Sequence, residues 1–160
     1  MLHWKVLFVK PRTEKKVSEY CDLFGIRHYL PLRQKKRIVQ RRKVFVNLPL
    51  FPGYVFVRLP PEQRLLILET NLLVRIIQPL QPRKMMRDLV MVRRALRVNP
   101  QAVTTRPLTK GMRIRIIAGP FMGVEGLVAR LSAKTKVVLN VEMIGQAIAV
   151  ETDADFVERI

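Results

Sequence analysis

Side chains that commonly catalyse reactions are few in this sequence. The two histidines, His3 and His28, both lie in short strand-like runs, where a hydrogen-bonded structural role is the more common one. Carboxylates are scarce, and no pair has the spacing of a metal site or of an acid/base pair. The single cysteine, Cys21, lies on the apolar face of a predicted helix, which favours a buried, unreactive thiol. With no Gly-x-Gly-x-x-Gly motif and no Walker loop, the sequence predicts a protein that is not an enzyme and needs no cofactor or metal.

The densest group of charges is entirely cationic. Between Arg33 and Lys43, seven of eleven residues are basic and none is acidic. Like charges this close repel one another, so a polyanionic partner explains them better than a structural role does; a solvated basic loop is the alternative. On a hairpin they would face phosphates, each of which lowers log K by roughly 0.9 per log unit of salt when neutralised. The predicted nucleic-acid-binding residues of this run are Arg33, Lys35, Lys36, Arg37, Arg41, Arg42 and Lys43.

A second basic group consists of Lys10, Arg12, Lys15 and Lys16, where a predicted strand ends and a predicted helix begins. The free N–H groups of a helix N-terminus favour anions, and these cations would add to that field. Nucleic-acid binding and a solvated helix face explain this group equally well.

The most unusual string is Pro-Leu-Phe-Pro-Gly-Tyr-Val-Phe-Val, residues 49–57. Two prolines and a glycine fix the start of a strand, which then places Tyr54 and Phe56 on one face. On periodicity alone, packing of these rings in the core is favoured over an exposed docking groove.

The overall charge indicates the class of partner. A formal net charge of +18 on 160 residues suits nucleic acid or an anionic membrane surface. The membrane is the weaker alternative, because no amphipathic helix pairs a basic face with exposed Trp or Phe. The longest uncharged run, Val44 to Val57, has 14 residues, whereas spanning a bilayer needs about 20. The start of the chain has no signal-peptide pattern, and a lone cysteine fits a reducing compartment, so we expect a cytoplasmic protein.

The positive charge is concentrated in the first part of the chain. Residues 1–97 hold 22 basic and 6 acidic residues, a net charge of +16, whereas residues 98–160 hold 8 and 6, a net charge of +2. Residues 98–106 contain proline and short polar residues without amphipathic periodicity, which is typical of a linker. We therefore predict two domains, 1–97 and 107–160.

Strands alternate with helices in the first predicted domain. Thr13 is a plausible N-cap of a helix that Gly25 closes, and residues 37–46 suit a hairpin with its turn near Gln40-Arg41. This order predicts an α+β fold in which the first domain is a small α/β sandwich. The other predicted strands cover residues 4–9, 27–32, 53–59 and 72–77, and the helices lie between residues 13 and 24, 61 and 70, and 85 and 96.

The second predicted domain has the pattern of short strands. Met112, Ile114 and Ile116 alternate with arginines, the period of a half-buried strand, and Gly119-Pro120 and Gly123 mark a turn. Five short strands in about 55 residues predict a small β-barrel. The further predicted strands cover residues 126–131, 136–141 and 148–151.

Two of these strings together resemble the NusG family of transcription elongation factors. The Trp4 strand, the basic turn around Lys10 and residues 49–57 are similar to the NusG N-terminal domain. Residues 110–126, the hairpin at 141–151 and residues 156–158 are similar to a KOW domain. The resemblance covers essentially the whole chain and implies an antiparallel sheet with flanking helices, followed by a five-stranded, SH3-like KOW barrel.

The resemblance also implies a mechanism. The first domain would dock on the clamp helices of the largest subunit of bacterial RNA polymerase, bridge the DNA cleft and disfavour pausing without chemistry of its own. By match to the family motif, an apolar depression lined by Phe8, Phe51, Tyr54 and Phe56 would do the docking. The basic run and the second basic group would face upstream or non-template DNA.

The KOW-like domain would recruit a second partner. By the same resemblance this is a ribosomal protein of the small subunit or a termination factor, bound through Phe121 and Ile144 at loop tips; a barrel-core role explains these two residues equally well. The short, very basic first domain is similar to that of a specialised RfaH-like antitermination paralogue, acting as a monomer away from membranes. The rival hypothesis is a KOW-type RNA-binding protein that acts on the ribosome.

Overall fold

A computed structural model of the chain describes residues 3–160, which form two compact units. The first unit comprises residues 3–32 and Pro49–Arg83, and the second comprises Arg33–Leu48 and Lys84–Ile160. The basic run and most of the last long helix therefore group with the C-terminal residues. The division into 1–97, linker 98–106 and 107–160 stays a prediction.

Three helices and twelve strands form in residues 3–160. The helices are α1 (Glu14–Leu23), α2 (Arg64–Leu68) and α3 (Pro82–Val98), with single 3₁₀ turns at Pro61–Gln63, Glu142–Ile144 and Ala154–Phe156. The strands are β1 (Trp4–Val9), β2 (His28–Tyr29), β3 (Leu32–Val39), β4 (Arg42–Pro49), β5 (Tyr54–Arg58), β6 (Leu73–Ile77), β7 (Thr104–Thr105), β8 (Met112–Ile116), β9 (Glu125–Val128), β10 (Lys134–Val141), β11 (Gln146–Asp153) and β12 (Val157–Arg159).

The first unit is built on a four-stranded antiparallel sheet in the order β2-β5-β1-β6. Side chains alternate between the faces of a strand, so Leu7 and Val9 of β1 share one face. Val55 and Val57 of β5 belong to the same buried cluster, which also includes α1 residues. The remaining fully buried members of this core are Val17, Cys21, Ile26, Leu59 and Ile67.

Helix α1 forms where the apolar spacing predicts it. Its residues Val17 and Cys21 are buried, and Gly25 follows the helix with φ +66°, a conformation that favours glycine. Thr13 precedes the helix, but its hydroxyl donates to the Lys10 carbonyl oxygen at 2.6 Å and caps no helical N–H group. The predicted N-cap position is therefore confirmed, but the Thr13 side chain caps no N–H group because its hydroxyl hydrogen bonds backwards along the chain.

The second unit contains a curled, antiparallel six-stranded sheet in the order β12-β8-β9-β10-β11-β7. The predicted mixture of helix and sheet is confirmed, and five strands lie in residues 107–160, but the sheet has six strands and the predicted five-stranded barrel is not confirmed. The additional strand is β7, which lies in the predicted linker and pairs with Ala147 and Ile148 of β11.

Gly126 is required where β9 pairs with β10. A Cβ atom at this position would lie 2.7 Å from the carbonyl oxygen of Val138 and 2.8 Å from a side-chain atom of Leu139. A backbone oxygen cannot move aside without disturbing the sheet, so only glycine fits.

Candidate functional site

An aromatic pair lies on the face of the first sheet opposite the α1-facing core. Strands β1 and β5 place Phe8 directly opposite Tyr54, and the two ring centroids are 5.3 Å apart. On the other side of β1, Arg75 of β6 is opposite Phe8, and its guanidinium carbon lies 5.8 Å from the ring centroid. Both rings are half-buried, so this face combines apolar surface with one cation.

The turn before β5 shapes this face. Gly53 has φ +92°, and a Cβ atom there would lie 3.0 Å from the Phe8 ring. Its carbonyl oxygen accepts a 2.8 Å hydrogen bond from the Val9 N–H, which ties the turn to β1. The glycine of the Phe-Pro-Gly-Tyr string therefore lets the Phe8 ring lie against the turn.

The four aromatic residues proposed for docking divide into two pairs. Phe51 and Phe56 are 1% and 0% exposed, so as the chain is folded here they offer no surface to a partner. Phe56 lies in the middle of β5, opposite Val6 of β1, whereas Tyr54 begins the strand. Phe56 therefore packs in the core, as the periodicity favours, whereas Phe8 and Tyr54 keep part of their rings at the surface.

The basic run forms the expected hairpin of β3 and β4. Its turn is the dipeptide Gln40-Arg41, and both residues have positive φ, 49° and 64°, as in the type I′ turn that suits two-residue hairpins. Such turns usually contain Asn-Gly, so this one holds a cation where glycine is common. The predicted turn position is confirmed.

The hairpin cations are free for a partner. Arg33, near the base, is half-buried, and the other six basic side chains of the run are exposed. None of the seven forms an ion pair with another side chain in residues 3–160. Their charge is thus balanced only by solvent and counterions, the state that favours counterion release on binding phosphates.

The second basic group is also exposed, although the first turn of α1 beside it already contains an acidic residue, Glu14. Lys10, Arg12, Lys15 and Lys16 are all exposed. Glu14 lies in the first turn of α1, is 5% exposed and leaves one carboxylate oxygen without a hydrogen-bond partner. This carboxylate opposes the attraction of the helix N-terminus for other anions, so the four side chains themselves must supply any phosphate binding.

The two loop residues proposed for a second partner are half-buried. Phe121 lies in the turn after β8, and Ile144 ends the 3₁₀ turn before β11. Within the same unit, α3 contacts both loops, because Arg94 donates a 3.0 Å hydrogen bond to the Gly123 carbonyl and Lys84 lies 3.2 Å from Glu142. A partner at these loops would therefore meet α3 residues as well.

Two carboxylates near α3 are electrostatically perturbed. Burial raises the pKa of Asp88, while the nearby Lys84 ammonium lowers it in part. A hydrogen bond from Arg115 holds the pKa of Glu125 below its usual value, and Arg113 lowers it further. The Asp88 shift follows from burial and the Glu125 shift from ion pairing with two arginines of β8, so neither needs a ligand.

A serine, a histidine and an aspartate meet in the first unit without forming a catalytic triad. The Ser18 hydroxyl lies 2.6 Å from Nε2 of His28, and Asp22 Oδ1 approaches the same nitrogen at 3.8 Å. A triad needs the carboxylate on the other ring nitrogen, but Nδ1 lies 3.1 Å from the Ile26 carbonyl oxygen. No sequence pattern indicates this contact, since Ser18 and His28 are ten residues apart.

The thiol and the acidic residues also lack the features of a reactive site. Burial, with a smaller effect of Asp22, raises the pKa of Cys21 to about 12, so the thiolate is not populated near neutral pH. Within residues 3–160, no three His, Cys, Asp or Glu side chains are grouped so that they could hold a metal ion. No helix in the same range is long and apolar enough to cross a membrane.

Comparison with known proteins identifies the family. The family model described as transcription termination factor nusG matches residues 2–103. The chain belongs to the NusG family. Proteins of this family are transcription factors, not enzymes, and the resemblance to the NusG family inferred from the sequence is confirmed.

One solved structure has a similar fold, and a second match is weaker. The structure titled "Domain interaction in Thermotoga maritima NusG" is 22% identical, with a TM-score of 0.51 over 100% of this chain and 98% of that one. The MjSpt4:Spt5 complex in conformation B is 16% identical over 98% of this chain and 96% of that one, with a TM-score of 0.32. No curated protein matches the chain.

The NusG match covers only part of the candidate surfaces. Residues 2–103 include the aromatic face of Phe8 and Tyr54 and the whole basic hairpin. The loops that contain Phe121 and Ile144 lie beyond it, in the part of the chain where the likeness to the Thermotoga protein is one of fold.

Proposed function

We propose that this NusG-family protein is a transcription elongation and antitermination factor that binds RNA polymerase through the Phe8–Tyr54 face. It docks on the clamp helices of the largest subunit, bridges the DNA cleft and suppresses pausing. The observation that carries this proposal is a half-buried aromatic pair with an adjacent cation, formed by residues inside the NusG match. The protein acts in the cytoplasm, as a monomer and without a cofactor.

The chemistry of the aromatic face suits a helical partner. Aromatic rings supply large apolar contact areas with few rotatable bonds, which makes them frequent energetic centres of interfaces. Arg75 beside Phe8 adds a donor for a carboxylate at the rim of the contact. Phe51 and Phe56 are buried and so take no direct part in this contact.

The basic residues act on nucleic acid while polymerase holds the protein in place. The exposed hairpin cations contact upstream or non-template DNA, and Lys10, Arg12, Lys15 and Lys16 extend this contact. Phosphate contacts of this kind position a protein without reading sequence. The C-terminal unit recruits a second partner, a ribosomal protein or a termination factor, through Phe121 and Ile144.

Polymerase capture tests the docking face. The full chain is immobilised and incubated with bacterial RNA polymerase at about 0.3 M salt, where phosphate contacts are largely suppressed. Wild type should retain polymerase, and Phe8→Ala/Tyr54→Ala should lose at least about tenfold of it, the usual loss for truncated interface aromatics. Lys36→Gln/Lys43→Gln is the matched control, because it alters two exposed residues elsewhere and should retain polymerase.

The outcomes separate the proposal from its rival. Retention by the double aromatic variant, with the fold checked by circular dichroism, would overturn the docking face. If wild type fails to hold polymerase but binds ribosomal RNA at low salt, the protein acts on the ribosome side instead.

A further inference from the structure

A cleft lies in the second unit, at the end of the six-stranded sheet opposite the loops of Phe121 and Ile144. Strands β8 to β11 follow one another in antiparallel order, so successive loops alternate between the two ends of the sheet. The β9–β10 loop, residues 129–133, therefore lies at the far end from the loops that follow β8 and β10. It borders a cleft of about 410 Å³, within the usual range of ligand-binding clefts, about 300–1,000 Å³.

The outward face of β10 forms the floor of this cleft. Side chains alternate between the faces of a strand, so Lys136 and Val138 share the outward face, whereas Val137 and Leu139 are buried on the inward one. The segment 105–108 forms one wall of the cleft, and the β9–β10 loop forms the other.

Hydrogen bonds between side chains and backbone fix both walls. On one side, Asn140 of β10 accepts a 3.0 Å bond from the Leu108 N–H and donates a 2.7 Å bond to the Leu108 carbonyl oxygen. On the other side, the buried Thr135 hydroxyl accepts a 3.2 Å bond from the Ser132 N–H and donates a 2.7 Å bond to the Ser132 carbonyl oxygen. Because both walls are held in place before a ligand arrives, the entropic cost of binding is reduced.

The lining of the cleft is cationic. Four of the eight Lys and Arg residues that follow residue 97 line it, and none of the six acidic residues in the same stretch does. Lys134 is paired with Asp153 at 3.7 Å. The other three cations form no ion pair within the part of the chain that the structure describes; they are Arg106, Arg130 and Lys136. An anionic ligand would therefore meet three unpaired cations around one cleft.

The side chains between these cations indicate the class of anion. Pro107, Leu108 and Ala129 add apolar surface, and the described residues that line the cleft include no aromatic ring. Unpaired bases bind proteins largely by stacking on aromatic side chains, so a nucleic-acid strand would find phosphate contacts here but no support for its bases. A peptide that carries both carboxylates and an aliphatic side chain suits both kinds of surface, because arginine forms paired hydrogen bonds with carboxylates.

We propose that this cleft binds an acidic peptide segment of a partner protein. Carboxylates of the segment contact Arg106 and Arg130 on the two walls and Lys136 on the floor. An aliphatic side chain of the segment packs on Pro107 and Leu108. Since the cleft and the loops that follow β8 and β10 lie at opposite ends of the sheet, a partner bound here leaves those loops free. This site is additional to the proposed function and does not depend on polymerase docking.

Fluorescence anisotropy with the full chain tests the cleft. The probe is the peptide Asp-Glu-Leu-Asp-Glu, labelled at its N-terminus and amidated at its C-terminus, at about 0.15 M salt. The same peptide with serine in place of leucine tests the apolar contact, and an oligouridylate with four phosphates tests a nucleic acid of equal charge. Wild type should bind the leucine peptide about fivefold more tightly than the serine peptide, as expected for partial burial of a leucine side chain.

Two double variants, each lacking two cations, locate the binding. Arg106→Gln/Lys136→Gln alters exposed residues of the cleft. It should weaken binding of the leucine peptide about fivefold, because two surface ion pairs with the peptide are lost, and binding of the oligouridylate less than about twofold. Lys36→Gln/Lys43→Gln is the matched control in the β3–β4 hairpin and should bind the peptide within about twofold of wild type. Circular dichroism checks the fold of both variants.

The outcomes separate the cleft from general electrostatic attraction. Equal affinity of wild type for the leucine and serine peptides, or equal weakening of peptide binding by both double variants, would show that the probe follows net charge only and would overturn the proposal. Absence of peptide binding to wild type would also overturn it. A cleft variant that loses more affinity for oligouridylate than for the peptide would assign the cleft to nucleic acid instead. Polymerase capture depends on the Phe8–Tyr54 face, so the cleft and the proposed function can fail independently.

Discussion

Truncation of Phe56 provides a quantitative test of how the aromatic string divides between core and surface. Phe56 is 0% exposed and lies between Val6 of β1 and Tyr29 of β2 in the central part of the sheet. Removing a fully buried phenyl ring costs both the transfer of the ring from water and the cavity left behind, together about 3–5 kcal/mol. We expect Phe56→Ala to lose that amount of its free energy of unfolding.

The hairpin provides a matched control. Phe45→Ala removes the same atoms from a side chain that is 54% exposed. Substitutions at exposed positions usually change the stability by no more than about 0.5 kcal/mol, so this variant should unfold close to wild type. The difference between the two variants then measures burial and not the chemistry of phenylalanine.

Urea unfolding measures the effect. Trp4, the only tryptophan, lies in β1 and pairs with Arg58 of β5, so its fluorescence reports on the sheet that contains Phe56, and circular dichroism reports on the whole chain. With an m-value of about 2 kcal/mol/M, a loss of about 4 kcal/mol moves the midpoint by about 2 M. A folded Phe56→Ala protein within about 1 kcal/mol of wild type would refute the assigned burial and return Phe56 to the docking surface.

Three further perturbations test the packing and the ionisation states. Gly126→Ala forces a Cβ atom against a backbone oxygen at 2.7 Å and should destabilise the second sheet by about 1–3 kcal/mol. The control variant Gly145→Ala meets no atom within 4 Å and should cost no more than about 1–2 kcal/mol, because its φ is positive. Amide hydrogen exchange in β9 and β10 distinguishes the two variants, and equal protection in both would contradict the close contact at Gly126. The Cys21 thiol, with a pKa raised to about 12, should react with a disulfide reagent at pH 8 only after unfolding, and rapid labelling of the native protein would show that it is accessible. Because Arg115 lowers the pKa of Glu125 in the folded chain, the ion pair contributes stability above the unfolded pKa, about 4.5, and this stability is lost as the pH falls through the lowered folded value. Glu125→Gln should therefore reduce the thermal midpoint at pH 7 and have a smaller effect at pH 3. An equal loss at both pH values would exclude the ion pair as the cause.

Local sequence patterns predicted the helices, strands and turns whose structure is determined by residues close together in the sequence. The spacing of Val17 and Cys21 gave the buried face of α1, and the alternation of Ile114 and Ile116 gave β8. The turn at Gln40-Arg41 was also predictable, because two runs of similar composition flank it. In each of these cases the residues that decide the structure lie within one element or one turn.

Contacts between distant residues were not predictable in the same way. Tyr54 and Phe56 have the same position in the period of β5, yet only the pairing with other strands makes one half-buried and the other fully buried. Strand β7 is two threonines in a polar stretch, and its pairing with β11 supplies the order that its own sequence lacks. The contact of Ser18 with His28 likewise arises only when α1 packs beside β2.

The two candidate binding surfaces respond to salt in different ways because they consist of different groups. The aromatic face has one nearby cation, Arg75, and its contact with a partner depends mainly on apolar area removed from water, which salt does not weaken. The β3–β4 hairpin has six exposed cations without an ion-pair partner in residues 3–160, so its contacts with phosphates decline steeply with salt. Suppression of pausing that persists at high salt would thus come from the polymerase contact, and any part lost between low and moderate salt would come from the hairpin. If the proposed function holds, the charge of +16 in residues 1–97 adjusts a factor whose attachment to polymerase is apolar.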